Sequence, residues 1–397
     1  MSDTQKHTKL NVPNLRFPGF EGEWERMKVS DLLEFFSTNS LSWEQLEFEG
    51  TGLLNLHYGL IHNGLPNQID INNSSLPVVK AGFEPRKFTL CKTGDIAFAD
   101  ASEDTDDVGK VVEFVDCAGK DVVCGLHTIH GRDKLDKTVP GFKGYAFSSK
   151  VFHDQIKRIA QGTKVFSIRA SNFDEVYISI PRMEEQRKIA TLLSLIDLRI
   201  SVQNKVIEKY ESLIKALSRR LIPNEGDDYA ALETLVHICK GEQLNGECLS
   251  DNGKYYVMNG GITPSGYYDD YNTLAGTISI SEGGNSCGFV QFNEMPFWSG
   301  GHCYTLLQTS DERIQYKFLY HFLKSKQDDI MSLRIGSGLP NIQKKDLGRY
   351  PVPILSHDSQ TAITRLLDVV CQYIKNERAI LNDLTVQKQY VLQAMFI

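Results

Sequence analysis

The chain has 397 residues, 41% hydrophobic and 23% charged, with a net charge of −7, enough for two or three domains with real cores. No apolar run approaches the ~20 residues of a membrane helix, and the polar start MSDTQKHTKLNVPN lacks the layout of a signal peptide; a cytoplasmic location is expected. The acidic total hides two blocks: eleven Asp or Glu against four Lys or Arg from Asp95 to Asp136, and eight Lys or Arg against three Asp from Arg313 to Arg349.

Residues 1–19 read as an N-terminal segment and 20–181 as a first mixed module. Runs such as GDIAFAD and KVVEFV predict strands. The eight cysteines show no CxxC spacing, which reads as reduced structural thiols. His127 and His130 lack further ligands at metal spacing, so structural histidines and no metal are expected.

Residues 182–222 form a first long helix, with Pro181 ahead of it and Pro223 to stop it. Leu193, Ile200, Ile207, Ile214 and Leu221 recur every seven residues. Ile196 and Leu217 lie on the second apolar track, with Gln203 and Tyr210 between them.

A second module spans 223–353. GTISISEGG and CGFVQF predict strands, and QYKFLYHFLKSK a helix. Gly284-Asn285-Ser286-Cys287-Gly288 fits the GxSxG of a hydrolase elbow, but strand-like FVQF follows where an elbow needs a helix. A turn between strands is expected.

Residues 354–397 repeat the helix. Leu367, Ile374, Leu381, Lys388 and Met395 restate the ladder, with Val370, Leu384 and Val391 on the second track and Glu377 in the place of Gln203.

Module and helix therefore recur at a period near 174 residues. A seven-residue apolar repeat supercoils against a partner. The second module starts past the end of one helix and finishes at the start of the other, so short connections predict an antiparallel pair. At 1.5 Å per residue, a helix of ~36 residues is roughly 54 Å long. The fold expected is α+β: two mixed α/β domains separated by two long helices that form an antiparallel coiled coil, with a pseudo-two-fold internal repeat. A seam used only for homodimerisation is the plainer reading.

The residues also carry a resemblance. LRFPGFEGEWE at the start, GDIAFADASED with VGK, and VVCGLHTI in the first module resemble the specificity subunit of type I restriction–modification systems. So do VMNGGITPSGYYDDYN, TISISEGGNSCGFV, PFWSGGHCYTL and GSGLPNIQKKDL in the second. IPRMEEQRKIATLLSLID resembles the family's helix start, and LSHDSQTAITRLLDVV is a degraded second copy. The resemblance covers the chain from about Leu15 onward. It implies two target recognition domains, each reading one half of a bipartite, asymmetric double-stranded DNA sequence. It implies a helical spacer that docks two methyltransferase subunits, with restriction–translocation subunits joining them. It implies no catalysis by this chain; S-adenosylmethionine, ATP and magnesium belong to those partners.

The residues agree with a non-enzyme. There is no [ND]PP[YFW] motif for amino-methylation, no GxxxxGK[ST], no [DE]xK and no HExxH. Two other classes remain open: a coiled-coil adaptor without DNA reading, and a divergent self-contained methyltransferase or restriction enzyme.

DNA contact needs cations and small donors for phosphates, and forked side chains for base edges. In the first module Lys157, Arg158, Lys164, Ser167, Arg169, Ser171 and Asn172 form such a basic-polar stretch. Its counterpart in the second module is Arg334, Ser337, Asn341, Lys344 and Lys345. Base-reading candidates are Asn259, Ser281, Asn285, His302 and Tyr304, with His57, Tyr58, His62, Asn63, His127 and His130 in the first module. Arg187, Lys205, Lys209, Arg219 and Arg220 are expected on the outer helix faces.

Overall fold

A computed structural model describes residues 11–222, 228–336 and 338–397; the predicted helix stop at Pro223 lies outside them. The chain divides into two units. The first runs to Val202 and takes in Leu381–Ile397; the second is Gln203–Ile380. The first long helix is Met183–Leu221 and the second His357–Met395, so each unit holds a stretch of both.

In the first unit a five-stranded sheet runs in the order Leu33–Phe36, Thr128–Asp133, Ile96–Ala99, Val111–Asp116 and Gln68–Asp70. Its pairings are antiparallel except the last. The predicted strands IAFA and VVEFVD are its centre, and Ile96 to Ala99 are all buried. A four-stranded sheet has Val122–Cys124 at one edge, parallel to Leu54–Leu56. Leu193, Val391 and Met395 of the long helices join the core with Phe98, Phe142 and Phe147. Lys143 is buried there, its ammonium 3.3 Å from the equally buried Glu113. Tyr145 donates to Asp197 at 2.8 Å, and Asp197 also pairs with Lys388 at 2.6 Å, so one carboxylate ties the module to both helices. From the N-terminal segment, Leu15 N–H bonds Ala394 O at 2.9 Å and Arg16 pairs with buried Glu185 at 2.7 Å.

In the second unit an antiparallel sheet runs Val236–Lys240, Cys303–Gln308, Thr277–Ser281, Val290–Asn293. The helix Tyr316–Ser325 packs Phe318, Leu319, Phe322 and Leu323 into the same core as Leu367. The GNSCG stretch falls between Thr277–Ser281 and Val290–Asn293, as a turn between strands. Alternation in TISIS predicts one wet face, yet all five residues are buried. The polar ones are bonded inside: Thr277 to Leu274 O at 2.8 Å, Ser279 from Asn293 at 2.9 Å, Ser281 to Gly260 O at 2.6 Å.

The repeat is visible atom by atom. Buried Gln186 accepts from Val139 N–H at 2.9 Å and donates to Lys137 O and Pro181 O, each at 2.8 Å. Buried Gln360 accepts from Gln315 N–H at 2.7 Å and donates to Arg313 O and Leu355 O, each at 2.8 Å. One glutamine thus fastens each helix start to a loop of its own module.

Every seam position read from the sequence is buried or half-buried, including Ile196, Ile200, Ile214, Leu217, Leu221, Val370, Ile374, Leu381 and Leu384. In the second unit Gln203 donates to both the backbone carbonyl and the carboxylate of Glu377. Tyr210 stacks on Tyr373 at 5.6 Å and Arg378 pairs with Glu211 at 2.6 Å. Numbering rises along one helix from 203 to 210 as it falls along the other from 377 to 373, so these stretches run antiparallel. Among the described residues no helix is long and apolar enough to cross a membrane.

Candidate nucleic-acid interface

The second unit has an open cleft of about 640 Å³ where the ends of its strands meet. It gathers four predicted residues, Asn259, Asn285, His302 and Asn341, and adds Lys240, Glu282 and Thr263. The close backbone approach depends on glycine. A Cβ on Gly241 would lie 2.3 Å from Gly300 O, and Gly284 has φ +80°, the left-handed region that favours glycine. The GLPNIQ loop is pinned to the SEGGN loop by Gly284 N–H to Pro340 O and Ile342 N–H to Glu282 O, both at 2.9 Å.

Glu282 organises the cleft floor. Its Oε1 takes Lys240 at 2.7 Å and the Tyr304 hydroxyl at 3.2 Å, and its Oε2 lies 3.9 Å from His302. Burial, then the Glu282 charge, pushes the Tyr304 phenol up to about 12, so it stays a neutral donor at physiological pH. Asn259 accepts from His302 N–H at 3.1 Å, and exposed Asn285 and His302 stand at the rim.

Two predicted base readers are displaced from that role. Tyr304 is buried, its hydroxyl spent on Glu282 and on Ile342 O at 3.1 Å. Ser281 is buried with its hydroxyl on Gly260 O. Both build the wall behind the cleft. The strand Thr277–Ser281 is buried on both faces, and Cys303–Gln308 pairs beside it with Cys303 to Leu306 buried. Ser337 lies outside the described residues. Arg334, Lys344 and Lys345 are exposed, the two lysines on the short helix Lys344–Gly348 beside Asn341. Lys240 and Glu282 were missed; both sit at strand ends followed by glycine, in CKGE and SEGG, where a cleft-facing side chain was legible in principle.

In the first unit the basic-polar stretch is split among elements. Lys157 and Arg158 end the helix Lys150–Ile159, Ser167 lies in Phe166–Ser167, and Arg169, Ser171 and Asn172 surround the turn Ala170–Glu175. Lys164 is exposed between them. Lys157 pairs with Asp106, and that hydrogen bond holds the Asp106 carboxyl below the usual range. The acidic stretch therefore neutralises one predicted phosphate ligand. Asn172 is turned back on its own turn, accepting from Arg169 N–H at 2.7 Å.

Beside this stretch lies an aromatic cluster. Trp43 stands 4.3 Å from His57, and Tyr58 lies 4.7 Å from His57, 5.7 Å from His62 and 5.1 Å from His127. Trp43 is 42% and Phe48 60% exposed, and neither was singled out from sequence. His127 has φ 54°, a left-handed backbone that presents its exposed ring, bonded to Asp100 at 3.0 Å. His57 and His130 are buried and cannot face a base. His57 accepts from Gly59 N–H at 3.1 Å, and burial holds its pKa below the ordinary value.

Two mixed domains and a duplicated helix start, each fastened by a buried glutamine, define a protein of internally repeated build. Comparison places it more narrowly. The profile of the type I restriction modification DNA specificity domain matches residues 21–212 and again 227–386, and the chain belongs to this family. It is 39% identical over 139 residues to a protein of Mycoplasma pneumoniae named as a type I specificity subunit, which covers 35% of this chain and 37% of that one. A Mycoplasma genitalium protein of the same description is 36% identical over 146 residues, 36% of this chain and 38% of that one. The matched part thus spans little over a third of these relatives' length. The crystal structure of a type I restriction–modification S subunit from M. genitalium shares the fold: TM-score 0.64, 22% identity, 97% of this chain and 99% of that one.

Proposed function

We propose that this chain is the DNA-reading subunit of a type I restriction–modification complex and is not itself an enzyme. Residues 20–181 and 223–353 each read one half of a bipartite, asymmetric target. The helices 182–222 and 354–397 set the unread gap and dock two methyltransferase subunits; restriction–translocation subunits join for cleavage. The observation that carries the reading is the second unit's cleft, where Asn259, Asn285, His302 and Asn341 converge, with the exposed cations Lys344 and Lys345 following Asn341 on the short helix Lys344–Gly348. Amide and imidazole forks read base edges, and lysines hold phosphates. In the first unit the same part falls to Arg158, Lys164, Ser167, Arg169 and Ser171, with exposed His127 and Trp43 beside them.

The helices support a docking role through what they leave uncovered. Leu195, Leu198 and Val202 in the first unit, and Leu366, Val369 and Tyr373 in the second, are large apolar side chains exposed at helical spacing. Arg187, Lys205, Lys209, Arg219 and Arg220 are exposed on the first helix. Apolar rows rimmed by charge suit a protein partner better than solvent.

The test is footprinting with the methyltransferase partner present. Two short protected patches flanking an open gap are expected. One continuous patch, or methyl transfer by the purified chain alone, contradicts the reading. Methylation mapping of a host genome with the subunit present and deleted then gives the sequence.

A further inference from the structure

We infer that Cys91, Cys124 and His130 form a metal site that takes a zinc-class divalent cation inside the first unit. All three are buried, at 5%, 2% and 0% exposure. The two sulfurs lie 3.6 Å apart, and a ring nitrogen of His130 falls within 4.8 Å of both. Tetrahedral zinc with bonds of about 2.3 Å holds two thiolates about 3.8 Å apart. The sulfurs therefore already stand at nearly the spacing of a chelate.

The histidine is prepared for the same task. Its Nε2 bonds Asp95 Oδ2 at 2.7 Å, while its Nδ1 is buried without a hydrogen-bond partner. Asp95 is in turn gripped by Arg132 at 2.8 and 2.7 Å and by the Lys92 N–H at 2.9 Å. A carboxylate on one imidazole nitrogen fixes the tautomer, so that the other presents its lone pair to a metal. Two thiolates would neutralise a divalent ion, leaving no net charge in the core. The Cys117 thiol is turned to the backbone instead, donating to the carbonyl of Cys91 at 3.6 Å.

The ligands come from separate elements. Cys124 ends a strand of the four-stranded sheet, His130 lies within the five-stranded one, and Cys91 bonds the edge through its N–H to Val122 O at 2.8 Å. The ion would cross-link the two sheets across the short turn that carries His127. The metal site stands whether or not the DNA-reading proposal does.

The experiment uses the full chain, purified without chelator, and needs neither DNA nor partner subunits. Elemental analysis is expected to find about one zinc per chain. Cobalt added to the metal-stripped chain is expected to give thiolate-to-cobalt absorption in the near ultraviolet, displaced by zinc. Cys91→Ser and Cys124→Ser remove that band, whereas Cys248→Ser at an exposed position keeps it. Circular dichroism checks that each variant folds. If a serine variant fails to fold, the wild-type cobalt spectrum and zinc count still decide. No thiolate band on the natively folded wild type overturns the site. So does an undiminished band in Cys124→Ser, or a Cys91–Cys124 disulfide in metal-free chain.

Discussion

Replacing Lys344 and Lys345 with alanine should flatten the salt dependence of DNA binding, and Lys157→Ala should not. Both lysines are exposed on Lys344–Gly348, and neither forms an ion pair among the described residues. Lys157 already has a counter-charge in Asp106. Each phosphate contact adds about −0.9 to the slope of log affinity against log salt. If both lysines hold phosphates, the double variant loses about 1.8 of slope. At 0.1 M salt each contact is worth about eightfold in affinity, so the double variant should bind roughly 60-fold more weakly. Raising salt from 0.05 to 0.2 M should shrink the difference from wild type by about 12-fold. The assay is fluorescence anisotropy of the assembled complex on a duplex carrying the mapped target, over a salt series. An unchanged slope in the double variant, or an equal change with Lys157→Ala, refutes the assignment of free and neutralised cations.

Gln360→Leu leaves one half-buried N–H and two carbonyls without their partner; at 1–3 kcal/mol each, partly relaxed by water, the loss should be about 3 kcal/mol, read as a lower denaturant midpoint at unchanged slope. Lys324 is half-buried over the Phe289 ring, and burial lowers its pKa to about 8. The unfolded chain then binds more protons above pH 8, so stability should rise between pH 8 and 10 by roughly 2 kcal/mol, and Lys324→Met should abolish the rise in a pH series of unfolding curves. Adding one heptad to both long helices, about 10.5 Å of helix, should lengthen the unread gap in methylation maps while leaving both half-sites unchanged; a heptad in one helix alone should abolish assembly. Replacing Gln203 and Glu377 together with leucine should raise the thermal midpoint yet admit shifted registers, seen as new disulfide crosslinks beside the one expected from Tyr210→Cys with Tyr373→Cys.

Periodicity made the helices legible because a slip of a single residue would turn a leucine out of the seam; no seam residue is exposed. Gln186 and Gln360 could be aligned from sequence, but not their three-way bonding, since their partners lie in loops without pattern. The strands were legible as strands but not as to which side is wet. Thr277, Ser279 and Ser281 alternate with isoleucines, yet all are buried, and hydrogen bonds to Leu274 O, from Asn293 and to Gly260 O stand in for water. The same reason removed Tyr304 from the base readers. Lys240 and Glu282 come together because Val236–Lys240 and Thr277–Ser281 both pair with Cys303–Gln308, a pairing no local pattern encodes. Cys91 and Cys124 lie 33 residues apart in the chain, outside any spacing rule, and meet through the strand edge at Val122.

The polar rung has a meaning that follows from duplication plus direction. Equivalent residues of the repeat differ by 174, as Gln203 and Glu377 do. In an antiparallel pair one index rises while the other falls, so equivalents can face each other at a single level. Elsewhere the seam joins unlike residues; Tyr210, whose equivalent is Leu384, meets Tyr373 instead. Two apolar ladders of equal period would tolerate sliding by a heptad, since leucine and isoleucine replace one another in a seam. A slide by one heptad takes Gln203 away from the carboxylate and carbonyl it now bonds and sets it among Val370, Ile374, Leu381 or Leu384. An unpaired buried amide then costs about 1–3 kcal/mol, and the buried polar pair acts as a register lock. If the helix pair sets a distance, as proposed, it needs such a lock more than it needs greater stability, and the one level where the repeat meets itself is where a single pair of residues can supply it.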